Sequence, residues 1–401
     1  MTEKHRSGEG EEAAKALPAA AILGDCAGDR GVEIWNETPR ARLIRALARL
    51  GITRVLNEAE VTDHSGALLL FRDDTVFDAP ILKGLIEEPG LVLTGSATGA
   101  SQPLAAHAPP GALVDAMALL RDQAAKPSTA ALKIISPAEL GASYWHALRK
   151  REVPYALQVT EGARRAIEWR MFMGTYKGAT DVVTKWVWPR PAFYVTKICA
   201  RFGISPNMVT YLSLVLTIGA FIWFLKGAWA AGLIAGWLMT FLDTVDGKLA
   251  RVTLTSSKFG NALDHGIDLI HPPFWWVAWG VGVQNSSLAL PDEVLFASLA
   301  VILAGYLLQR AMEGLSIWFF KIEIHVWRPV DTLFRQITAR RNPNMVLLTL
   351  GALAGRPDLG LVAVALWTGL CLLLHGLQLL QAWSRWRRDG KLTSWMTEAA
   401  G

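Results

Sequence analysis

The spacing of apolar positions changes character partway along the chain. From about Ala19 to about Trp169, short apolar runs alternate with amphipathic segments. Ala20 to Leu23 predicts a buried strand, Arg40 to Leu50 a helix, Ile52 to Leu56 and Ala67 to Phe71 two more strands, and Leu113 to Arg121 a further helix. The Pro and Gly residues within Gln102 to Gly111 predict a loop. This alternation predicts a soluble α/β domain with a mostly parallel sheet over residues 19–169. After Pro206 the apolar runs lengthen toward bilayer dimensions and predict an all-α membrane domain of six transmembrane helices over residues 206–386. The candidate spans are Met208 to Leu225, Ala228 to Leu242 continuing helically toward Arg251, Leu263 to Val283, Val294 to Met312, Met345 to Ala354, and Leu359 to Trp383. The fifth is short for a crossing.

Between the two parts, residues 170–205 form a linker in which Trp186, Trp188, Phe193 and Tyr194 interleave with Lys185, Arg190, Lys197 and Arg201. That mixture fits a juxtamembrane amphipathic helix or helix pair, with an ordinary linker helix as the alternative. Met1 to Lys15 is polar and charged, so residues 1–18 are expected to be a disordered tail with no signal peptide. Residues 387–401 are expected to form a cytoplasmic tail.

Composition sharpens this picture. The mean hydropathy of +0.27 agrees with a membrane half, and 17 tryptophans suit a chain whose indoles settle at membrane interfaces. Three widely spaced cysteines suggest neither a disulfide framework nor a thiolate zinc site. The net charge of +5 is small, and its placement matters more than its size. Lys and Arg collect before the first span, in Lys248 to Lys258, in Lys321 to Arg341, and in Arg385 to Lys391. The positive-inside rule makes those stretches cytoplasmic, which places the N-terminal domain, the C-terminus and the ends of the spans near Arg251 on the cytoplasmic side of a cell (inner) membrane. No nucleic-acid partner is expected.

The strongest chemical signal is Asp243-Thr-Val-Asp246-Gly247-Lys-Leu-Ala250-Arg251, then eight residues, Gly260, three residues, Asp264, three residues, and Asp268. Asp243 and Asp246 stand three apart and Asp264 and Asp268 four apart, so each pair shares a helix face. Two antiparallel helices joined through Val252 to Phe259 would gather four carboxylates near the cytoplasmic end of the membrane. Such a cluster needs compensating cations, and hard oxygen ligands favour Mg²⁺ or Mn²⁺. An ion there would grip a pyrophosphate and neutralise charge developing during phosphoryl displacement. Gly247 and Gly260 let a nucleotide approach the backbone, and Arg251 offers a fork for a phosphate. The plain alternative is a set of helix-end carboxylates solvated at the membrane surface or paired with Lys248, Arg251 and Lys258.

Position for position, these residues resemble the signature of the CDP-alcohol phosphotransferases, and Ser205-Pro206-Asn207-Met208-Val209-Thr210 is similar to the Pro-Asn-x-x-Thr opening of the first span in that family. The resemblance covers roughly Arg190 to Arg388. It implies a transferase that moves a substituted phosphate from a CDP-linked donor to an alcohol or phosphorylated alcohol and releases CMP. It further implies that Asp243, Asp246, Asp264 and Asp268 bind one or two divalent ions, Mg²⁺ or Mn²⁺, and that Asp268 is the general base. Asn207, Thr210, Asp243, Gly247, Ala250, Arg251 and Gly260 would contact the CDP part. A homodimer among membrane lipids is expected by the same resemblance. Arg190, Lys197, Arg201, Arg310 and Arg328 are candidates for a phosphorylated acceptor, or equally for anionic headgroups. Arg310 and Glu313 stand three apart, so mutual pairing competes with a site role.

The first half is similar to a sugar-phosphate nucleotidyltransferase with a Rossmann-like fold, as in fused inositol-phosphate cytidylyltransferases. Gly28, Arg30, Pro39 and Arg40 fall where that family has its opening motif, and Asp74 stands where a metal-binding Asp would be. Cys26 replaces the first Gly, Arg40 replaces a Lys, and Leu157-Gln158-Val159-Thr160-Glu161 offers no second Asp. The domain is therefore expected to be degenerate, the alternative being a bifunctional enzyme. His265, His271 and His375 are expected to be packed, hydrogen-bonded residues. A six-span transporter is the reading from another class, but no repeat of span pairs supports it.

Overall fold

The structure is a computed structural model that describes residues 17–24, 31–97, 100–122, 130–140, 144–145 and 148–397. The expected tail and the motif residues Cys26, Gly28 and Arg30 lie outside the described residues, apart from Leu17 and Pro18. The chain divides into two compact units. The first comprises residues up to Glu33, Glu37–Gly141 and Val153–Arg164; the second takes Ile34–Asn36, Ala142–Glu152 and Arg165 onward.

The first unit is an α/β body. Its elements are β1 (Ala19–Leu23), α1 (Pro39–Arg49), β2 (Val55–Leu56), α2 (Glu58–Thr62), β3 (Leu68–Arg72), β4 (Thr75–Phe77), α3 (Ala79–Glu87), β5 (Leu91–Ala97), β6 (Ala100–Ala108), α4 (Leu113–Arg121) and β7 (Lys133–Ile135). The hairpin of β8 (Tyr144–Trp145) and β9 (Lys150–Arg151) belongs to the second unit, and β10 (Ala156–Gln158) returns to pair with β4. Six strands make one sheet in the order β2-β1-β3-β6-β5-β7, and only β6 runs against its neighbours. The run Leu68-Leu-Leu-Phe71 is apolar without alternation because β3 is covered on both faces. Leu68 and Leu70 join one core cluster, Leu69 and Phe71 the other. Helix α1 starts where Thr38 accepts a hydrogen bond from the Ala41 amide and Pro39 pre-sets the first turn, and it buries Leu43 and Leu47.

Two local expectations fail. Gln102 to Ala108 is strand rather than loop, and only the residues after it turn. The register shifts between Leu93 and Thr94 as Pro103 pairs with Thr94, so the residue lacking an N–H sits at a bulge where the ladder is interrupted anyway. The strand expected from Ile52 is confined to Val55–Leu56.

The second unit is helical: α5 (Arg164–Gly174), a π-helical turn at Val183–Val187, α6 (Pro189–Arg201), α7 (Pro206–Leu225), α8 (Trp229–Val252), α9 (Lys258–Gln284), α10 (Asp292–Leu315), α11 (Pro329–Phe334), α12 (Arg341–Leu353) and α13 (Pro357–Asp389). Helices stand at all six expected places. Among the described residues three are long and apolar enough to cross a membrane: Pro206–Leu225, Asp292–Phe320 and Pro357–Asp389. Helices α8 and α9 are long enough but carry the charged cluster, and the 13 residues of α12 span only about 20 Å.

Part of the tryptophan excess is core rather than interface. Trp275, Trp276 and Trp279 are fully buried, and Trp275 and Trp279 donate to the Thr217 and Pro357 carbonyls at 3.0 and 2.9 Å. Pro272 and Pro273 lie inside α9. The Leu269 carbonyl, which Pro273 cannot serve, instead accepts from the Tyr306 hydroxyl at 2.7 Å.

Candidate functional site

Helices α8 and α9 bring their acids together. One oxygen each from Asp243, Asp246 and Asp264 lie within 4.8 Å of one another. Asp246 is buried; its Oδ2 accepts from the Thr210 hydroxyl at 2.6 Å, while its Oδ1 has no partner. Burying a carboxylate with an empty acceptor is costly unless a cation completes it. An all-carboxylate donor set suits Mg²⁺ or Mn²⁺, so these residues fit such an ion. Asp268 stands slightly apart and is held by Arg341, whose other nitrogen donates to Asp243 Oδ2 at 2.6 Å.

The start of α7 is tied to this cluster. Ser205 caps the helix by accepting from the Met208 amide, which sets Thr210 one turn in, against Asp246. Gly260 explains the close approach of α9 here: a Cβ added at that position would lie 2.5 Å from Asn207 Oδ1 and 3.0 Å from Ser257 Oγ. A Cβ at Gly247 would lie 3.0 Å from Arg251 Nη2, so this glycine leaves room for the guanidinium one turn on. Arg251 Nε has no partner, and Ala250 is half-buried on the same helix.

The acceptor candidates are scattered in their roles. Lys197 pairs with the buried Glu168 at 2.5 Å, Arg310 pairs with Glu313 at 3.2 Å, and Arg328 caps α11 through Asp331 while also donating to Gln381. Arg190 and Arg201 are exposed near the two ends of α6. The histidines are mostly packing residues. His271 bonds the Ile267 carbonyl through Nδ1 and packs edge-on against Trp275, His375 bonds the Cys371 carbonyl, and His265 is exposed.

Several polar contacts of the helical unit carry no signal in residue spacing. Lys248, which the sequence marks only as the start of the basic stretch Lys248 to Lys258, is buried with its Nζ 3.6 Å from the Tyr176 ring centre and 3.2 Å from the Thr175 carbonyl. Glu313 receives both Arg340 and His325. Arg341 ends the basic stretch Lys321 to Arg341 and has no distinguishing mark within it. Its one signal is an Arg-Arg pair opening a helix, which by itself reads as membrane-surface charge.

Residues 203–339, which include all four aspartates, match the profile of the CDP-alcohol phosphatidyltransferases. An 80-residue segment is 38% identical to archaetidylinositol phosphate synthase of Pyrococcus horikoshii, covering 20% of this chain and 42% of that protein. An 88-residue segment is 31% identical to phosphatidylinositol phosphate synthase of Mycobacterium marinum, covering 20% and 38%. The matched segments thus span less than half the length of either curated relative. The apo crystal structure of phosphatidylinositol phosphate synthase from Mycobacterium tuberculosis aligns with a TM-score of 0.36 and 16% identity, over 46% of this chain and 94% of that one. Residues 203–339 of this chain are thus similar to the CDP-alcohol phosphatidyltransferase family.

Proposed function

We propose that the protein is an integral membrane transferase that moves a substituted phosphate from a CDP-linked lipid to an alcohol, with release of CMP. The observation that carries this reading is the convergence of Asp243, Asp246 and Asp264 around the unpartnered Oδ1 of buried Asp246. When bound, a divalent ion there supplies charge neutralisation for the pyrophosphate under attack. The chain's own residues do the rest. Asn207, Gly247 and Gly260 shape the cleft for the nucleotide, Arg251 faces a phosphate with its unpartnered Nε, and Asp268 accepts the proton of the attacking hydroxyl. An apolar groove lined by Leu214, Ile218, Phe221, Ile267, Ile270 and Phe274 also runs past Leu263 and Gly266, which flank Asp264 on α9. A groove of that chemistry suits an acyl chain and so favours a lipid as the donor.

The relatives named as inositol phosphate lipid synthases favour a phosphorylated polyol as acceptor, with exposed Arg190 and Arg201 as the first candidates to attract its phosphate. Six membrane crossings, a cytoplasmic site and a homodimer complete the proposal, and mass measurement in mild detergent should give twice the chain mass. The deciding assay is CMP release from CDP-diacylglycerol in liposomes, with inositol phosphate, inositol, glycerol phosphate and serine as acceptors, in Mg²⁺, Mn²⁺ or EDTA. No CMP from any acceptor with metal present would sink the reading. Gly260→Ala is expected to lower turnover by about 10²-fold with the fold retained, because the added Cβ pushes Asn207 off its place. An unchanged rate would remove Gly260 from the cleft.

A further inference from the structure

With the carboxylate quartet read as a divalent-ion site, one cation of the chain itself already sits inside it. Arg341 opens α12 and reaches both acidic helices, donating through Nη1 to Asp268 on α9 and through Nη2 to Asp243 Oδ2 on α8. Its side chain is only 15% exposed. Asp243 is therefore claimed twice, once by the group of three carboxylates and once by the guanidinium. A divalent ion held by Asp243 would stand a few ångströms from that guanidinium, and the two cations repel.

The neighbours of Arg341 decide which part of it moves. Arg340 is fixed to Glu313, and Asn342 donates to Asp181 at 3.0 Å. The backbone is thus pinned on both sides, leaving the long side chain of Arg341 as the part that can swing. We propose that Arg341 is the resident counter-cation of the metal-free site. It holds Asp243 and Asp268 together without an ion, and a divalent ion binds by displacing it from Asp243. Arg341 then sets how much metal is needed to load the site, a role distinct from that of any metal ligand.

The test, which rests on the metal reading of the quartet, is Mn²⁺ binding to the full-length protein in detergent, followed by the electron paramagnetic resonance signal of free Mn²⁺, for wild type, Arg341→Gln and Arg341→Lys. Removing the competitor should tighten Mn²⁺ binding by about ten-fold or more in Arg341→Gln, with Arg341→Lys between the two. Equal or weaker binding by Arg341→Gln overturns the inference, since the arginine would then be a support for the ligands and not a rival of the ion. Thermal unfolding provides a second reading. Arg341→Gln should be less stable than wild type in EDTA and gain more from Mn²⁺; an equal gain counts against displacement. Folded proteins that bind no Mn²⁺ in either form would overturn the metal reading of the quartet and this inference with it.

Discussion

Asp246→Asn is expected to abolish CMP release, a loss on the order of 10³-fold, while leaving the protein as stable as wild type or more so in EDTA. The two effects have different origins. Asn keeps the shape of the side chain and an oxygen to accept from Thr210, so the 2.6 Å bond that ties α7 to α8 survives. What disappears is one negative charge from a group whose members crowd within 4.8 Å. In the metal-free protein that relieves repulsion, by roughly 1 kcal/mol or more at an intermediate effective dielectric. On the proposed metal reading it also removes an anionic ligand from an ion that accepts few substitutes. Activity and unfolding temperature in EDTA should therefore move in opposite directions, which an unfolding artefact does not do. Turnover within about ten-fold of wild type would take Asp246 out of the metal site.

Legibility in the sequence tracks the range of the interactions. Helical spacing is local, so the pairs at Asp243/Asp246 and Asp264/Asp268 can be placed on two helix faces from the sequence alone; three of the four do converge. The turn chemistry at Ser205-Pro206 likewise marks the start of α7. Partner choice across long stretches of chain is not legible. Arg341 finds Asp268 and Asp243 across 73 and 98 positions, and nothing in an Arg-Arg pair says which acids it will meet. The expectation of interfacial indoles fails at Trp275, Trp276 and Trp279 for the same reason, since composition does not reveal that helix carbonyls wait for the N–H groups of Trp275 and Trp279 inside the bundle. The loop expected within Gln102 to Gly111 fails over Gln102 to Ala108 because Pro103 argues for a loop unless a bulge is available, and the bulge depends on a partner strand.

The same limit governs Asp74, where the structure turns an expected metal ligand into a structural ion pair. Arg72 donates to it twice, from Nε at 3.1 Å and from Nη2 at 2.7 Å. Thr75 and Gln158 donate at 3.1 and 2.8 Å. Gln158 lies in the stretch that offers no second Asp, and here it serves the first. Burial pushes the carboxyl upward, but the bonds from Arg72, Gln158 and Thr75 prevail and hold it below the usual carboxylate range. The stability this contributes is present above about pH 4, the ordinary range of an unfolded Asp, and is lost as pH falls through the lower folded value. Asp74→Asn should therefore destabilise the first unit by about 3 kcal/mol at neutral pH, because the guanidinium of Arg72, only 2% exposed, loses the carboxylate it faces. Circular dichroism melts of the full-length protein should show an earlier transition. With its oxygens fully engaged, Asp74 has no lone pair left for a metal, so wild type should release no pyrophosphate from CTP with sugar or inositol phosphates. Pyrophosphate release by wild type that vanishes in a folded Asp74→Asn protein would instead make Asp74 a ligand and the chain bifunctional. An unshifted melt would show that the pair contributes nothing to holding β3 and β4 in place.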